Sequence, residues 1–431
     1  MKTIARRLMA CILLLTLCLT AFAGCDVPAS DGEGSDEAPA KGWVLDHTSR
    51  ILVPADADEI TRKTADMIKA AVLEKAGVSL NQNAEGETLG SSIISLGVNA
   101  TAEKGTYTAV LDGRTFRITA SDSTTLYFAA EAILAAWLTA DFGLSQTGVI
   151  TLPEERVAEM NGLTLGNQNS IKILSQNVRY ADDPNRNTVQ LRSKRFMALL
   201  DEYQPDLIGA QEFTYSWSVW LTKHTKKAGG TGVLGGYGMV GCSRDGRDAT
   251  SGESNPIFYR LDRFELLDSD TFWLSETPDV VSKVETSSLN RICTWALLKD
   301  KQTGQTIFYA NTHLDHTNDQ ARQDQAELLI PYLLDLAGEH PLYLTGDFNC
   351  TSDSIAYGTI TAKLQDAHKT ALTDHSTVKN TYHDYTEEGY SEIDFIFHGD
   401  KAMPTRYEII SKPYDGFVSD HYGVIAEFVR K

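Results

Sequence analysis

Apolar segments in the C-terminal two-thirds of the chain repeatedly end in residues able to do chemistry. "ILSQNV" ends near Asn177 and "DLIGAQE" in Glu212, while "FYANTHLDH" carries Asn311 and His313. "PLYLTGDFN" places Gly346, Asp347 and Asn349, "EIDFIF" places Asp394, and "SDHYGV" places Asp420 and His421. Carboxylates and amides suit a hard divalent cation, Mg2+ or Mn2+, which takes oxygen ligands and keeps positions open for phosphate oxygens. Two histidines add proton transfer. A phosphoester resists attack because it is anionic, so its hydrolysis needs positive charge and donors where negative charge grows. A metal beside these histidines would supply both in an acidic site. Asp347 and Asn349 stand two apart at a strand end, so extended geometry turns both to one side. Gly346 between strand and turn admits close backbone approach.

Each fragment alone has a plainer reading. Asp-Phe-Asn can be a turn, Asn177 a satisfied strand end, and Ser-Asp-His a loop or helix cap. Their ordered recurrence at the ends of buried strands is what points to an active site. His316, Tyr382 and His383 fit either a pocket wall or a solvated loop. His47, His224, His340, His368, His375 and His398 read as surface or structural residues.

The elements that must position these groups begin at Ser170. Expected strands cover Lys172 to Asn177, Asp206 to Ala210, Pro256 to Tyr259, Ile307 to Asn311, Pro341 to Leu344, Ile393 to Phe397 and Gly423 to Phe428. Helices are expected over Ser193 to Tyr203 and Asp319 to Gly338. Strands alternating with helices give an α/β class.

"GDFN" followed by "SDH", with Asn, Glu and His stations before them, resembles the endonuclease/exonuclease/phosphatase superfamily, which includes DNase I-like nucleases and inositol polyphosphate phosphatases. The likeness covers about residues 170–430. "NPIFYR", "FWLSETP", "RICTW" and "THLDH" resemble a bacterial branch of unassigned substrate. The resemblance implies a four-layer sandwich of two mixed β-sheets flanked by helices. It also implies Glu212 as principal metal ligand, with Asn177 and Asp420 in the metal region. Asp347 resembles the acid that orients or deprotonates water, and Asn349 the amide that stabilises charge on phosphorus oxygens. His421 resembles the catalytic histidine paired with Asp394, and His313 the second histidine, paired with Glu253. Arg291 resembles a phosphate-contacting arginine, and Asn311 is expected to bind substrate.

Departures from the nuclease pattern accompany this. Thr214 stands where DNase I-like nucleases carry a phosphate-gripping arginine, and Ser251 where they carry a DNA-contacting tyrosine. The chain's net charge is -19 over 431 residues. From Ser170 onward it has 26 basic and 37 acidic residues, so no basic half hides in the total. Such a surface repels nucleic acid at long range. Action on a smaller or membrane-borne phosphoester is expected instead.

Residues 1–25 read as a secretory signal, with Lys2, Arg6 and Arg7 before an apolar run. The run ends in Ala21-Phe22-Ala23-Gly24-Cys25, which resembles a bacterial lipobox with Cys25 lipidated; plain cleavage after Ala23 is the alternative. Residues 26–42 are polar and small and read as a flexible linker. An extracellular lipoprotein held at the membrane, or a secreted protein, follows. Cys242, Cys293 and Cys350 form neither a disulfide framework nor a zinc pattern, and buried thiols are favoured over one bridged pair.

Residues 43–165 read as a small α+β accessory domain, ahead of a catalytic domain over 166–431. A strand from Ser49 leads to Asp56 and Asp58 as caps, a helix ends at Gly77, and a strand covers Ser92 to Val98. Thr106 to Leu111 and Thr115 to Thr119 flank an Asp112-Gly113 hairpin, and a helix follows from Thr124 to Phe142, stopped by Gly143. "SRILVPADADE" and "TYTAVLDGRTFRITASD" resemble the non-catalytic α+β domain of hexosaminidase-type glycosidases, which implies glycan contact; a plain spacer is the other reading. Together these expectations describe an extracellular, Mg2+-dependent phosphoesterase. A secreted nuclease is the rival, and a glycan-binding surface protein with an inactive hydrolase domain is the reading from another class.

Overall fold

The structure, a computed structural model, describes residues 43–45, 48–84, 92–137, 150–152, 170–249, 251–387 and 389–430. The expected signal, Cys25, the linker and the end of the helix toward Gly143 lie outside the described residues.

Near the N-terminus, five strands form a sheet in the order Asn81–Ala84, Arg50–Val53, Ile93–Val98, Thr115–Ala120 and Tyr107–Asp112. Only the last pair is antiparallel, turning through Gly113 at φ 56°. Asp58 caps the helix Glu59–Ala76 by accepting from the Thr61 N–H at 2.8 Å, and Gly77 closes it in the left-handed region at φ 66°. That helix and Ser123–Trp137 cover the sheet through Ile68, Val72, Leu126 and Ile133.

From Ile171 the chain builds two mixed sheets. The seven-stranded sheet runs Tyr237–Val240, Ile257–Arg260, Leu207–Gln211, Ile171–Asn177, Gly423–Arg430, Ala402–Ile410 and Thr373–Asp374. The six-stranded sheet runs Phe264–Trp273, Ile292–Asp300, Thr306–His313, Leu342–Asp347, Asp394–His398 and Gln365–Asp366. Ile173, Leu207, Tyr309, Tyr343 and Val424 fill the space between them. Helices Val189–Tyr203 and Tyr215–Lys227 pack on the first sheet through Phe196, Leu199 and Trp217. Helix Asp319–Ala337 packs on the second through Leu329 and Leu333. Helix, sheet, sheet and helix make the four layers expected, because the central strands are buried on both faces and each helix on one.

Polar groups also join the two sheets. Asn311, fully buried, donates to the carbonyls of Ala210 at 2.8 Å and Pro256 at 3.0 Å across the sandwich, and its oxygen accepts from Gln211 Nε2 at 2.7 Å. A side chain at Gly209 would bring Cβ within 2.1 Å of Thr345 Oγ1 and 2.6 Å of Asn311 Oδ1, so only glycine fits. Cys242, Cys293 and Cys350 are free thiols, the last two buried.

Candidate active site

Strand pairing places the reacting groups before any side chain is considered. His313 and Asp347 are partners on parallel strands, and Asp347 and Asp394 are partners on antiparallel ones. In the other sheet, parallel strands end together with Asn177 opposite Gln211, and Glu212 comes next. Glu212 and Asn349 both adopt the left-handed region, at φ 57° and 49°. Such conformations cost a non-glycine residue about 1 kcal/mol or more and persist where surroundings impose them. The loop after Asn177 is pinned from beneath. The fully buried guanidinium of Arg192 donates to the carbonyls of Val178, Arg179 and Ala181, and Trp217 Nε1 donates to Arg179 at 2.8 Å.

Asp347 is the hub. Asn177 Nδ2 donates to Asp347 Oδ2 at 2.9 Å and to Glu212 Oε1 at 3.1 Å, so one amide draws together carboxylates from the two sheets. The Asn349 N–H donates to Asp347 Oδ1 at 2.9 Å. His313 Nε2 stands 3.5 Å from Asp347 Oδ2 and takes a hydrogen bond from the Asn349 amide at 2.9 Å. His421 Nδ1 lies 2.8 Å from Asp394 Oδ2, and its Nε2 faces Asp347 at 3.9 Å.

Burial and neighbouring charge divide the two histidines. Burial opposes an imidazolium at His421, but Asp394, Asp347 and Asp420 outweigh it and hold its pKa up at about 10. Burial pushes His313 well below its ordinary value, and Arg291 and Arg244 add to this, so it is neutral. Burial, then repulsion from Asp394, raises Asp347, giving that carboxylate an unusual appetite for a proton.

These groups open into a cavity of about 640 Å³ that is also lined by Arg179, Arg244 and Arg291. Arg179 faces Asp183 at 3.2 Å and Asp420 at 3.7 Å. Arg291, only 3% exposed, touches His316 Nδ1 at 3.1 Å, and its Nε has no partner among the described residues. A buried guanidinium with an unused donor is suited to an anion.

Glu212, His313 and Asp347 present ligand atoms within 4.8 Å of one another, as do Asp347, Asp394 and His421. A hard divalent cation fits the first group. Glu212 and Asp347 offer oxygens, and their mutual repulsion is what a cation would relieve.

The sequence profile of the Endonuclease/Exonuclease/phosphatase family matches residues 174–421, over half the chain. The chain belongs to that family.

Solved structures agree. An endonuclease/exonuclease/phosphatase from Bacteroides vulgatus is 35% identical, with a TM-score of 0.55, covering 61% of this chain and 100% of that one. A family protein from Bacteroides thetaiotaomicron is 28% identical, with a TM-score of 0.55, covering 62% and 99%. A mannosyl-6-phosphatase from the same organism is 28% identical, with a TM-score of 0.54, covering 60% and 99%. No curated protein matches.

Within this family frame, the structure gathers Glu212, Glu253, Arg291, His313, Asp347, Asn349, Asp420 and His421 around one cavity, with Asp394 directly behind. It corrects several individual expectations. Glu253 does not pair with His313; it forms a two-bond ion pair with Arg244 at 2.8 and 3.1 Å, while His313 takes Asn349. Asn311 does not reach substrate, because its amide is saturated by bonds between the sheets. Asn177 turns its N–H groups to the carboxylates of Asp347 and Glu212 and its oxygen to the Arg179 N–H at 2.9 Å. Asp420 accepts from Ser419 Oγ at 3.0 Å and falls outside both candidate ligand groups. His316 and Tyr382 line the cavity. His383 is fully buried, stacked 4.0 Å from the Tyr422 ring. Arg179 and Arg244 also line the cavity and were not singled out by sequence reasoning. The only hint was a basic residue just past a strand end at Arg179, and Arg-Asp-Gly turn chemistry at Arg244.

Proposed function

We propose that the chain hydrolyses a small phosphomonoester, a sugar phosphate, with Mg2+ or Mn2+ bound chiefly by Glu212 and Asp347. The observation that carries this reading is the convergence on Asp347 of the Asn177–Glu212 clamp, neutral His313 and the His421–Asp394 pair in one arginine-lined cavity. The likeness to a mannosyl-6-phosphatase supports the sugar phosphate class.

Bound there, the cation would supply Lewis acidity to the phosphoryl oxygens and acidity to water. The chain's own groups do the rest. Arg291, with its unused Nε donor, holds phosphoryl oxygens where negative charge grows. Asp347, 3.5 Å from His313 Nε2 and 3.9 Å from His421 Nε2, takes a proton from the attacking water as the new P–O bond forms. His421, kept as imidazolium by Asp394, gives its proton to the departing oxygen as the old P–O bond breaks. His313, neutral, keeps the Asn349 amide in place.

An extracellular site, held at the membrane through lipidated Cys25 and the linker, belongs to the same proposal and rests on the N-terminal sequence pattern. Residues 43–165 are assigned an accessory role, with glycan contact the reading to test. The nuclease alternative is disfavoured by the acidic catalytic region and by Thr214 and Ser251 at nuclease contact positions.

The test is turnover of sugar phosphates, a chromogenic phosphodiester, phospholipid and plasmid DNA, each with Mg2+ and with chelator. Metal-dependent release of phosphate from a sugar monoester is expected. Plasmid degradation that falls steeply with salt, with no sugar phosphate turnover, would favour the nuclease.

A further inference from the structure

One wall of the cavity takes no part in the chemistry above. Tyr382 lines it, with its ring centroid 5.0 Å from the His421 imidazole and tilted by 52°. Tyr390 continues outward, 5.9 Å from the Tyr382 ring, tilted by 40° and 63% exposed. The backbone holds both firmly. The Tyr382 N–H donates to Ser391 at 3.0 Å, and the Tyr390 N–H donates to the Tyr382 carbonyl at 2.7 Å. The Tyr422 N–H donates to Thr381 at 2.7 Å, and Tyr382 bridges to His421, so the aromatic pair is tied to the reacting histidine itself. Asn380 closes the loop by donating to Gly389 at 2.6 Å. Polar partners line the same cavity: Arg179 lies 4.9 Å over the Tyr180 ring and contacts both Asp183 and Asp420.

We propose that Tyr382 and Tyr390 form the leaving-group subsite and that its occupant is the pyranose ring of a hexose phosphate, stacked by its C–H face. This rests on the phosphoesterase reading and names where its specificity resides. A pyranose offers one apolar face and a rim of hydroxyls, which matches an aromatic wall beside charged donors and acceptors. A ring stacked on Tyr382 also brings its ester oxygen to His421, the proton donor. A nucleobase has a flat face too, but its phosphorus lies a ribose away, too far for a base on Tyr382 to serve an ester beside His421.

The experiment compares kcat/KM for a hexose 6-phosphate, glycerol phosphate and a nucleoside monophosphate, with Mg2+, in the intact chain and in Tyr382→Ala, Tyr382→Phe and Tyr390→Ala. The hexose-to-glycerol ratio is expected to fall about 10-fold or more in Tyr382→Ala, as the buried apolar face of one ring is lost. The ratio should hold in Tyr382→Phe and fall by a smaller factor in Tyr390→Ala, whose exposed position keeps that variant folded even if Tyr382→Ala is not. An unchanged ratio in both alanine variants, while each substrate is still turned over, overturns the subsite alone. Preference for the nucleotide does the same. No turnover of any monoester by the intact chain removes the phosphoesterase reading, and the subsite with it.

Discussion

The imidazole of His421 and the carboxylate of Asp394 lie 2.8 Å apart beneath the cavity, with His421 6% and Asp394 1% exposed. Asp347 faces the other ring nitrogen at 3.9 Å. A cation enclosed by acids, not a free imidazole, is therefore the resting state of this histidine.

Asp394→Asn keeps the shape of the pair and removes the charge that sustains the imidazolium. Removing such support typically costs a proton-transfer step about 10²-fold or more. kcat is expected to fall by that order with KM little changed. A steady-state profile showing near wild-type kcat would remove His421 from the proton-donor role.

The same pair sets a pH signature in the metal-free protein. Folded His421 titrates at about 10, above its ordinary 6.5, so its stabilising contribution is complete below about pH 6.5 and is lost as pH rises through about 10. Raised Asp347 works in the same direction but at lower pH, its contribution being lost between about pH 4 and about 7. With chelator present, Tm should fall between pH 7 and 10, and His421→Gln should flatten that slope. Equal slopes in the two proteins would contradict the assignment.

Glu212→Gln tests the metal site without relying on turnover. Mg2+ at millimolar concentration should raise the Tm of the wild-type chain, because a ligand bound only by the folded state stabilises it. In Glu212→Gln the rise should largely vanish, and half-maximal activity should need about 10-fold more metal or beyond. An undiminished Tm rise would place the cation elsewhere.

Arg291→Lys keeps positive charge but gives up the forked donor geometry suited to phosphate. Its kcat/KM should drop about 10-fold, and Arg291→Ala about 10²-fold or more, in the range lost when a transition-state donor is removed. Inhibition by inorganic phosphate should weaken in parallel. Inhibition that stays unchanged in the alanine variant would show that the guanidinium does not touch phosphate.

Asn311→Leu should damage the fold and spare the chemistry. It removes buried hydrogen bonds to the carbonyls of Ala210 and Pro256 and from the Gln211 amide, although Pro256 keeps the Ala210 N–H and Gln211 keeps Ser175 and Gly209. Unmet buried groups cost about 1–3 kcal/mol each, so calorimetry should show Tm lowered by several degrees at least. Turnover per folded molecule should stay near wild type; a selective rise in KM would restore a substrate-binding role.

The strands that carry the site were legible because they are short, apolar and end in polar residues. Leu342–Asp347 is buried throughout and Ile171–Asn177 at every position but Lys172, and each opens on a short apolar stretch, broken in the latter by Lys172 alone. The strands that only support them were hidden. Phe264–Trp273 lies at a sheet edge with Glu265, Asp268 and Asp270 along it, and a register shift between Leu266 and Asp268 breaks its alternation. Ala402–Ile410 contains Pro404 at a second shift. Helix Tyr215–Lys227 escaped notice because only Trp217, Leu221 and Thr225 are buried on it. At the site, residue types were readable but pairings were not. Glu253 and Arg244 are nine residues apart and meet through a turn, and Asn311 sits in a motif whose neighbour His313 does reach the cavity. Asn311 and His313 stand two apart and share a strand face, so what separates them is depth along the strand, and the motif does not say where the core ends and the cavity begins.

The two ends of the chain share an apolar seam. Phe128 of the N-terminal helix packs with Leu372, Met403 and Val429 of the sandwich, and Ile60 and Tyr127 lie against them. Lys63 Nζ reaches the Ala371 carbonyl at 3.4 Å across the same junction. A catalytic fragment beginning near Ser170 would thus carry a bare greasy strip on its outer strands, prone to self-association on expression. Either the whole described region is produced as one piece, or Leu372, Met403 and Val429 are recoded to polar residues first.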